Sequence, residues 1–86
     1  QLEILRYTVG GNYKPHVDAS LLYPRRLSFI YLLNNDYEGG ELHFPDIGKV
    51  DLQPNRCVIW PSNFMYPHGV KPVTKGVRYS LVSWIN

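Results

Sequence analysis

Three side chains that can bind a metal ion lie in two short segments of the sequence. His16 and Asp18 are two residues apart, and His68 lies far along the chain in Tyr66–Val70. Residues i and i+2 of an extended strand point to the same face, so the imidazole of His16 and the carboxylate of Asp18 would project together. Two histidines and one carboxylate form the ligand set that holds non-haem Fe(II) and leaves positions open for other ligands. The pattern predicts an iron site formed by His16, Asp18 and His68.

The His-x-Asp pair alone is a weak signal, because an ordinary surface strand with an unrelated loop histidine would show the same letters. The segment between Asp18 and His68 is long enough for about four or five strands, which would bring His68 back beside the first pair. A rival ligand is His43, in Glu41–Pro45. We expect His43 to be a structural or rim residue.

A second group of polar residues could bind an anion beside the metal. Arg78 lies within an apolar segment, where an unpaired charge is costly, and its guanidinium can hold a carboxylate bidentately. Ser80 faces the same way and adds a hydroxyl, and strand alternation could aim Tyr7 and Ser28 inward as well. Two alternatives stay open from the residues alone. Arg78 could pair with an internal acid, Glu41 or Asp51, and Tyr7 could simply pack with its hydroxyl in solvent.

Length and composition favour one small domain over residues 1–86, with no indicated nucleic-acid partner. The formal net charge is +2, and a chain of this length suits a single core. The one cysteine, Cys57, lies in the apolar run Arg56–Trp60, where we expect it to be buried. No apolar run approaches the length of a membrane span, and no signal peptide is visible, so we expect a cytoplasmic protein without a membrane partner.

Short apolar and aromatic runs alternate with Gly, Pro, Asn and Asp, and no segment shows a helical period. This pattern predicts an all-β fold of about eight strands, a sandwich or double-stranded β-helix of the jelly-roll kind. The predicted strands are Leu2–Val9, Tyr13–Asp18, Arg26–Asn34, Glu41–Phe44, Lys49–Leu52, Arg56–Trp60, Met65–Val70 and Val77–Ile85. The third and sixth of these are expected to be buried, the third on both faces.

The last predicted strand has one face for the site and one apolar face outside. The inner face carries Arg78, Ser80, Val82 and Trp84; the outer face carries Val77, Tyr79, Leu81 and Ile85. An apolar exterior needs a cover, and the sequence contains no helix to provide it. We expect helices outside this sequence, or a partner subunit in a homo-oligomer, to cover that face.

Together these motifs resemble a known family. The pattern Tyr7-x8-His16-x-Asp18, followed by His68-x9-Arg78-x-Ser80, is similar to that of the Fe(II)/2-oxoglutarate-dependent dioxygenases, and most similar to the prolyl 4-hydroxylase group. Ile30–Asn34 with Glu38–Leu42 resembles the segment between the ligand strands of this group, and Arg78–Trp84 resembles its last core strand. The resemblance covers nearly the whole chain.

The resemblance implies His16, Asp18 and His68 as ligands of Fe(II), with 2-oxoglutarate and O2 as cosubstrates and ascorbate as a candidate reductant. It implies that Arg78 holds the distal carboxylate of 2-oxoglutarate, and that Tyr7 and Ser28 help to bind it. The implied reaction hydroxylates a prolyl residue of a peptide or protein and releases succinate and CO2. Two positions depart from parts of the group: collagen-type members have Lys at the position of Arg78, and Leu32 replaces a cosubstrate tyrosine.

Other residues are expected to shape the pocket. An apolar lining of Ile30, Leu32, Val82 and Trp84 would exclude water, although Trp84 could equally be plain core. Candidate substrate contacts are Tyr13, the Ala19–Arg26 loop and the Asn34–Tyr37 turn.

Three alternative functions stay open from the sequence. One is a non-catalytic jelly-roll module with a structural metal or none. Another is a hydroxylase of a free amino acid or a lysyl side chain. The third is a nucleic-acid demethylase of the AlkB type, which Trp84 disfavours because that group has Arg-x5-Arg where this chain has Arg78-x5-Trp84.

Overall fold

The structure, a computed structural model, describes residues 2–86 as strands, turns and loops, with no helix in that range. The all-β prediction is therefore confirmed. The ten strands are β1 Leu2–Tyr7, β2 Tyr13–His16, β3 Leu27–Leu32, β4 Glu38–Gly39, β5 Leu42–Phe44, β6 Gly48–Lys49, β7 Cys57–Pro61, β8 His68–Val70, β9 Val73–Lys75 and β10 Arg78–Ile85.

The strands form two four-stranded antiparallel sheets and a two-stranded ribbon. The first sheet has the order β1-β10-β3-β7, the second has the order β2-β8-β5-β6, and β4 pairs with β9. Strands distant in sequence are therefore neighbours, which is the arrangement that brings His68 back toward the N-terminal ligands.

The first sheet sets which side chains face the interior. In β10 the inward residues Arg78 and Ser80 stand opposite Tyr7 and Leu5 of β1. On the other side of β10, Trp84 stands opposite Ser28 of β3. Because alternate residues of a strand share a face, these polar groups all point toward the second sheet.

The hydrophobic core lies between the sheets in two clusters. Ile30, Leu42, Phe44 and Trp60 form the larger cluster, and Tyr7, Val70 and Val73 form the smaller. The larger cluster joins inward residues of β3 and β7 to residues of β5, and the smaller cluster joins β1 to β8 and β9. The core therefore holds the sheet that carries Arg78 against the sheet that carries His68.

The second sheet places the two histidines side by side. His16 of β2 is the register partner of His68 of β8. Pro15 is tolerated in β2 because this strand lies at the edge of the sheet. Gly69 permits the close approach, since a Cβ there would lie 2.6 Å from the carbonyl oxygen of Tyr13.

Several predicted strand bounds were wrong. The second predicted strand ends at His16, so Asp18 lies in a bend after it, and the strand predicted from Met65 begins only at His68. The segments around Glu38 and Val73, which lie outside the predicted strands, form the β4–β9 ribbon. The sequence hid this pairing because it depends on contact between remote backbones: a Cβ at Gly39 would lie 2.4 Å from the carbonyl oxygen of Pro72.

The predicted burial of Cys57 was also wrong, and its strand is buried on one face only, at Trp60. Cys57 and Ile59 are exposed, because β7 is an edge strand and these residues point outward. The prediction that the third strand is covered on both faces was wrong as well: β3 is an inner strand, but nothing in the described residues covers the outer face of its sheet, where Leu27 is exposed.

The outer face of the first sheet is apolar and open, as predicted for β10. Tyr79 and Ile85 of β10 are exposed there, together with Leu2 and Ile4 of β1. What covers this face stays a prediction. Over the residues that the structure describes, no helix is long and apolar enough to cross a membrane.

Candidate metal centre and anion pocket

The three predicted metal ligands meet at one point. One ligand atom from each of His16, Asp18 and His68 can be chosen so that all three lie within 4.8 Å of one another. The β2–β8 pairing supplies both imidazoles, and the bend after β2 turns the Asp18 carboxylate back toward them. His43 of β5 is not in this group.

Backbone hydrogen bonds fix which ring nitrogen faces the site. The Nδ1 atom of His16 lies 2.9 Å from the carbonyl oxygen of Lys14, and that of His68 lies 3.1 Å from the carbonyl oxygen of Tyr66. A carbonyl oxygen can only accept, so each Nδ1 must carry the proton. In the neutral rings both Nε2 atoms then present lone pairs, which is the state that binds a metal ion.

These lone pairs face a carboxylate oxygen. Nε2 of His16 lies 3.1 Å from Oδ1 of Asp18, and Nε2 of His68 lies 3.4 Å from the same oxygen. Three electron-rich atoms this close require a cation between them, either a metal ion or an added proton. The arrangement therefore fits a cation site formed by two nitrogens and one oxygen.

The ionisation of these groups reflects the same attraction. The hydrogen bond with Asp18 raises the pKa of His16 above its ordinary value, although partial burial opposes the change. Burial alone would raise the pKa of Asp18, but hydrogen bonds from His16, His68 and Ser28 outweigh it and hold the pKa well below its usual range. Asp18 is thus a carboxylate at any ordinary pH.

The second oxygen of Asp18 is bound on the opposite side. Ser28 donates to Oδ2 at 2.5 Å, and the indole Nε1 of Trp84 donates to it at 3.1 Å. The Ser28 hydroxyl also lies 2.7 Å from that of Ser62, and both serines are fully buried. Because the Ser28 proton is directed to Asp18, the Ser62 hydroxyl is the donor in that second bond.

Aromatic rings hold the imidazoles in place. His68 packs edge-on against Trp60 with ring centres 4.7 Å apart, and Phe44 lies 5.6 Å from it on the same side of the core. The ring of Tyr13 lies 4.2 Å from that of His16. His68 is therefore buried and rigidly packed, whereas His16 keeps a partly exposed edge.

Arg78 provides a buried cation with unused donors. Its side chain is inaccessible to solvent, and only Nη1 has a partner, the Ser80 hydroxyl at 3.0 Å. Nε and Nη2 are buried without any hydrogen-bond partner. Donors on a buried cation are costly to leave unpaired, so these two atoms indicate a site for an anion.

The alternative partners considered for Arg78 do not reach it. In the described part of the chain, Asp51 pairs with Arg56 at 3.5 Å, and no ion pair joins Arg78 to Glu41. The ring centre of Tyr7 lies 5.3 Å from the guanidinium carbon. Burial raises the pKa of the Tyr7 phenol, although the charge of Arg78 partly offsets the effect. Tyr7 is therefore buried and neutral, rather than packed with its hydroxyl in solvent.

One cavity of about 430 Å³ joins the metal ligands to the anion site. Its wall includes His16, Asp18, His68, Tyr7 and Arg78. The predicted apolar lining is also present except for Leu32, which is buried in the core and does not reach the cavity; the apolar residues on the wall include Ile30, Leu42, Val70, Val82 and Trp84.

Ser28 and Ser80 lie behind the cavity wall. Each is fully buried and bonded to a residue that does line the cavity, Ser28 to Asp18 and Ser80 to Arg78. Direct contact between either hydroxyl and a cosubstrate stays a prediction.

Two of the three predicted substrate-contact regions border the cavity. Tyr13 lines it, as do Ser20, Tyr23 and Arg25 of the Ala19–Arg26 loop. The Asn34–Tyr37 turn does not, because Asn34 is occupied elsewhere. Its amide group donates to the carbonyl oxygen of Val77 and accepts from the backbone N–H of Tyr79, which ties the turn to β10.

Sequence reasoning missed the groups behind Asp18. Trp84, which is expected to line the pocket or to belong to the core, also donates its N–H to the carboxylate, and its ring lies 3.7 Å from the guanidinium carbon of Arg25. Its inward position on β10 was the available signal. Ser62 offered no signal, since it follows a proline in a segment that reads as a loop.

The donor set suits Fe(II), and the anion site suits a dicarboxylate. Imidazole and carboxylate ligands in a two-to-one ratio with open positions are typical of non-haem iron. The unpaired Nε and Nη2 of Arg78 match one carboxylate of a dicarboxylate that lies in the same cavity.

Comparisons with known proteins agree with this geometry. The family model of the 2OG-Fe(II) oxygenase superfamily matches residues 2–86. Among curated proteins, the chain is 37% identical over 89 residues to a PKHD-type hydroxylase of Gloeothece citriformis, covering 93% of this chain and 40% of that protein. It is 34% identical to a PKHD-type hydroxylase of Aliarcobacter butzleri, covering 93% of this chain and 40% of that protein. The chain thus spans about two fifths of the length of these relatives.

Solved structures show the same fold. A crystal structure of a Pseudomonas putida prolyl-4-hydroxylase matches with a TM-score of 0.83 and 27% identity, covering 99% of this chain and 50% of that one. The viral collagen prolyl hydroxylase of Paramecium Bursaria Chlorella virus-1, in complex with 2OG, matches with a TM-score of 0.80 at 21% identity, covering 98% and 58%. The predicted double-stranded β-helix is confirmed.

Proposed function

This chain belongs to the 2OG-Fe(II) oxygenase superfamily, and we propose that it is the catalytic core of a hydroxylase acting on a prolyl residue of a peptide or protein. In this proposal Fe(II), 2-oxoglutarate and O2 are the cofactor and cosubstrates, and succinate and CO2 are released with the hydroxylated product.

One observation carries the proposal. The ligand atoms of His16, Asp18 and His68 converge on the same cavity that is lined by Arg78, whose Nε and Nη2 have no partner. A structural metal site usually fills its coordination positions with protein ligands, often cysteines, and has no need of a buried cation nearby. A chelating acid such as 2-oxoglutarate requires a metal with open coordination positions and an anion site beside it.

In this site, the protein residues bind and orient the reactants. His16, Asp18 and His68 would hold Fe(II), and Arg78 would hold the distal carboxylate of 2-oxoglutarate. Bound Fe(II) with 2-oxoglutarate and O2 supplies the oxidising power that places a hydroxyl group on a substrate C–H bond. Tyr7 stays protonated because its pKa is raised, so its hydroxyl is available as a hydrogen-bond donor in the cavity.

The cavity wall also separates the reaction from water. Ile30, Leu42 and Val82 form part of an apolar wall around the polar groups. An apolar surround of this kind strengthens the charge interactions of Arg78 and Asp18 and limits side reactions of a strong oxidant. Exposed side chains of Tyr13 and Tyr23 border the same cavity, where a substrate chain could contact them.

The choice of a prolyl substrate is supported by the relatives. The Pseudomonas putida structure is a prolyl-4-hydroxylase, and the viral protein is a collagen prolyl hydroxylase. The border of the cavity includes residues of the exposed Ala19–Arg26 loop, and loops often carry the residues that bind a substrate.

A peptide screen tests the proposal. The chain, loaded with Fe(II), is incubated with 2-oxoglutarate, O2, ascorbate and a library of proline-containing peptides. We expect a mass gain of one oxygen atom on proline, matched by succinate, and we expect neither product with His16→Ala.

Other products would redirect or overturn the proposal. Oxygen incorporation confined to lysine or to a free amino acid would keep the chemistry and exclude the prolyl substrate. Metal binding without succinate formation, with or without peptide, would favour a non-catalytic module.

A further inference from the structure

The two oxygens of the Asp18 carboxylate have separate partners. Oδ1 faces the Nε2 atoms of His16 and His68, whereas Oδ2 accepts hydrogen bonds from Ser28 and Trp84. The carboxylate is thus divided into one oxygen that faces the metal position and one that faces the core.

We propose that Ser28 and Trp84 are positioning residues that hold Oδ2 away from the metal, so that Asp18 offers the metal a single oxygen. This inference rests on the proposed function and deepens it, because it concerns how the same site keeps room for its cosubstrates.

Both donors are well placed to hold this oxygen. Hydrogen bonds to an ionised carboxylate are roughly twice as strong as those between neutral groups. A carboxylate oxygen has two lone pairs, and two donors occupy both on Oδ2. For Oδ2 to reach a metal ion, the buried Ser28 hydroxyl and the half-buried Trp84 indole N–H would each lose a partner inside the protein, and that loss is costly away from water.

A second layer of contacts restrains the donors. The Ser62 hydroxyl donates to Ser28, and the backbone N–H of Ser62 is bonded to the carbonyl oxygen of Arg26 at 2.9 Å. The guanidinium of Arg25 covers the face of the Trp84 ring at 3.7 Å. The Ala19–Arg26 loop therefore restrains both donors, through Arg25 for the indole and through Arg26 and Ser62 for the serine.

The consequence lies in the number of open positions. With one oxygen from Asp18 and two imidazoles, an octahedral ion keeps three positions, enough for a chelating 2-oxoglutarate and one further ligand. A bidentate Asp18 would leave two, which 2-oxoglutarate alone would fill. Holding Oδ2 would therefore preserve the position that O2 needs.

The first test reads the Trp84 hydrogen bond directly. ¹⁵N-labelled protein has two indole N–H signals, from Trp84 and Trp60, and Trp84→Phe identifies which is which. On titration with Zn(II) alone, we expect the Trp84 signal to keep its downfield shift and its slow exchange with solvent. A Trp84 signal that moves to the position of an unbonded indole as Zn(II) binds would overturn the proposal.

The second test removes the two donors while keeping an aromatic ring at position 84. In Ser28→Ala/Trp84→Phe, we expect the affinity of Co(II)-loaded protein for 2-oxoglutarate to fall by about tenfold or more, while Co(II) affinity changes by less than about threefold. Ser28→Thr, which keeps the hydroxyl, should restore part of the loss when paired with Trp84→Phe. Tyr31→Phe is the control, because it removes a hydrogen bond to Asn55 on the outer side of the sheet, away from the cavity.

Two results of the second test would overturn the proposal. One is an unchanged 2-oxoglutarate affinity in the double variant, and the other is an equal loss of Co(II) and 2-oxoglutarate, which would indicate a general collapse of the site. Failure of the proposed function looks different: the wild type would bind Zn(II) with the Trp84 bond intact but would not bind 2-oxoglutarate.

Discussion

The guanidinium carbon of Arg78 lies 5.3 Å from the centre of the Tyr7 ring, with the two residues opposite each other on β10 and β1. Neither side chain is exposed, and the register of the two strands alone brings them together. This pair forms the end of the cavity that we assign to the distal carboxylate of 2-oxoglutarate.

Arg78→Ala is expected to weaken 2-oxoglutarate binding by about 100-fold, since hydrogen bonds to a charged group contribute about 1.5–3 kcal/mol. Zn(II) affinity should stay within about threefold of the wild type, because Arg78 touches none of the three metal ligands in the structure. Calorimetric titration of each ligand measures both values. Arg78→Lys keeps the charge, and its 2-oxoglutarate affinity should lie between those of the wild type and Arg78→Ala. An equal loss of metal and 2-oxoglutarate affinity in Arg78→Ala would contradict the assigned role.

Tyr7→Phe is expected to lower 2-oxoglutarate affinity by about three- to tenfold, the effect of one neutral hydrogen bond. The ring over Arg78 is kept, so the fold should be unaffected. Tyr31→Phe is a matched control, because the Tyr31 hydroxyl bonds Asn55 at the exposed outer side. Similar 2-oxoglutarate affinity in both variants and the wild type would leave Tyr7 as a packing residue.

Metal affinity should fall as the pH is lowered, and the fall should begin above the ordinary imidazole pKa of about 6.5. The pKa of His16 is raised, so its imidazolium persists to higher pH, and a metal ion must displace that proton. Below this pKa we expect about a tenfold loss of Zn(II) affinity per pH unit. Asp18 adds no slope there, because its pKa is lowered.

His16→Ala is the control for the pH experiment. It should bind Zn(II) more weakly, and its Zn(II) affinity should lose the pH dependence that the His16 proton contributes. A wild-type affinity that stays flat down to pH values well below 6 would show that His16 does not compete for the metal.

Gly69→Ala is expected to destabilise the protein and to weaken metal binding together. The added Cβ would lie 2.6 Å from the carbonyl oxygen of Tyr13, which would push β2 away from β8 and separate His16 from His68. We expect a loss of about 1–3 kcal/mol in the free energy of unfolding, as for overpacking elsewhere. Denaturant titration and Zn(II) titration measure the two effects.

Gly48→Ala is the control that separates a loss of stability from damage to the metal site. Its positive φ disfavours Ala, but nothing lies within 4 Å of the added Cβ, so stability should fall without a change in Zn(II) affinity. If both glycine variants left metal binding intact, the β2–β8 spacing would not be what sets the site.

The sequence was sufficient for the parts of the structure that strand periodicity and charge determine. The inward face of β10, with Arg78, Ser80 and Trp84, follows from alternation along one strand. The meeting of His16, Asp18 and His68 followed from the ligand types and from the need of a β fold to return its chain. The family resemblance is confirmed as well.

The remainder depends on contacts between backbones or side chains that are distant in sequence. The β4–β9 ribbon needs two short segments to approach at Gly39, and no local pattern marks a two-residue strand. Cys57 looked buried because its segment is apolar, but exposure depends on which strand lies at the sheet edge. The bond from Trp84 to Asp18 joins residues near the two ends of the chain, so neither segment alone could indicate it.

The most direct test of the central claim is the anaerobic addition of Fe(II) and then 2-oxoglutarate, followed by visible absorption. If His16, Asp18 and His68 hold one ion beside Arg78, a metal-to-ligand charge-transfer band should appear in the wild type. It should be missing in His16→Ala and should need far more 2-oxoglutarate in Arg78→Ala. A wild type that binds Fe(II) but shows no band at saturating 2-oxoglutarate would contradict the account.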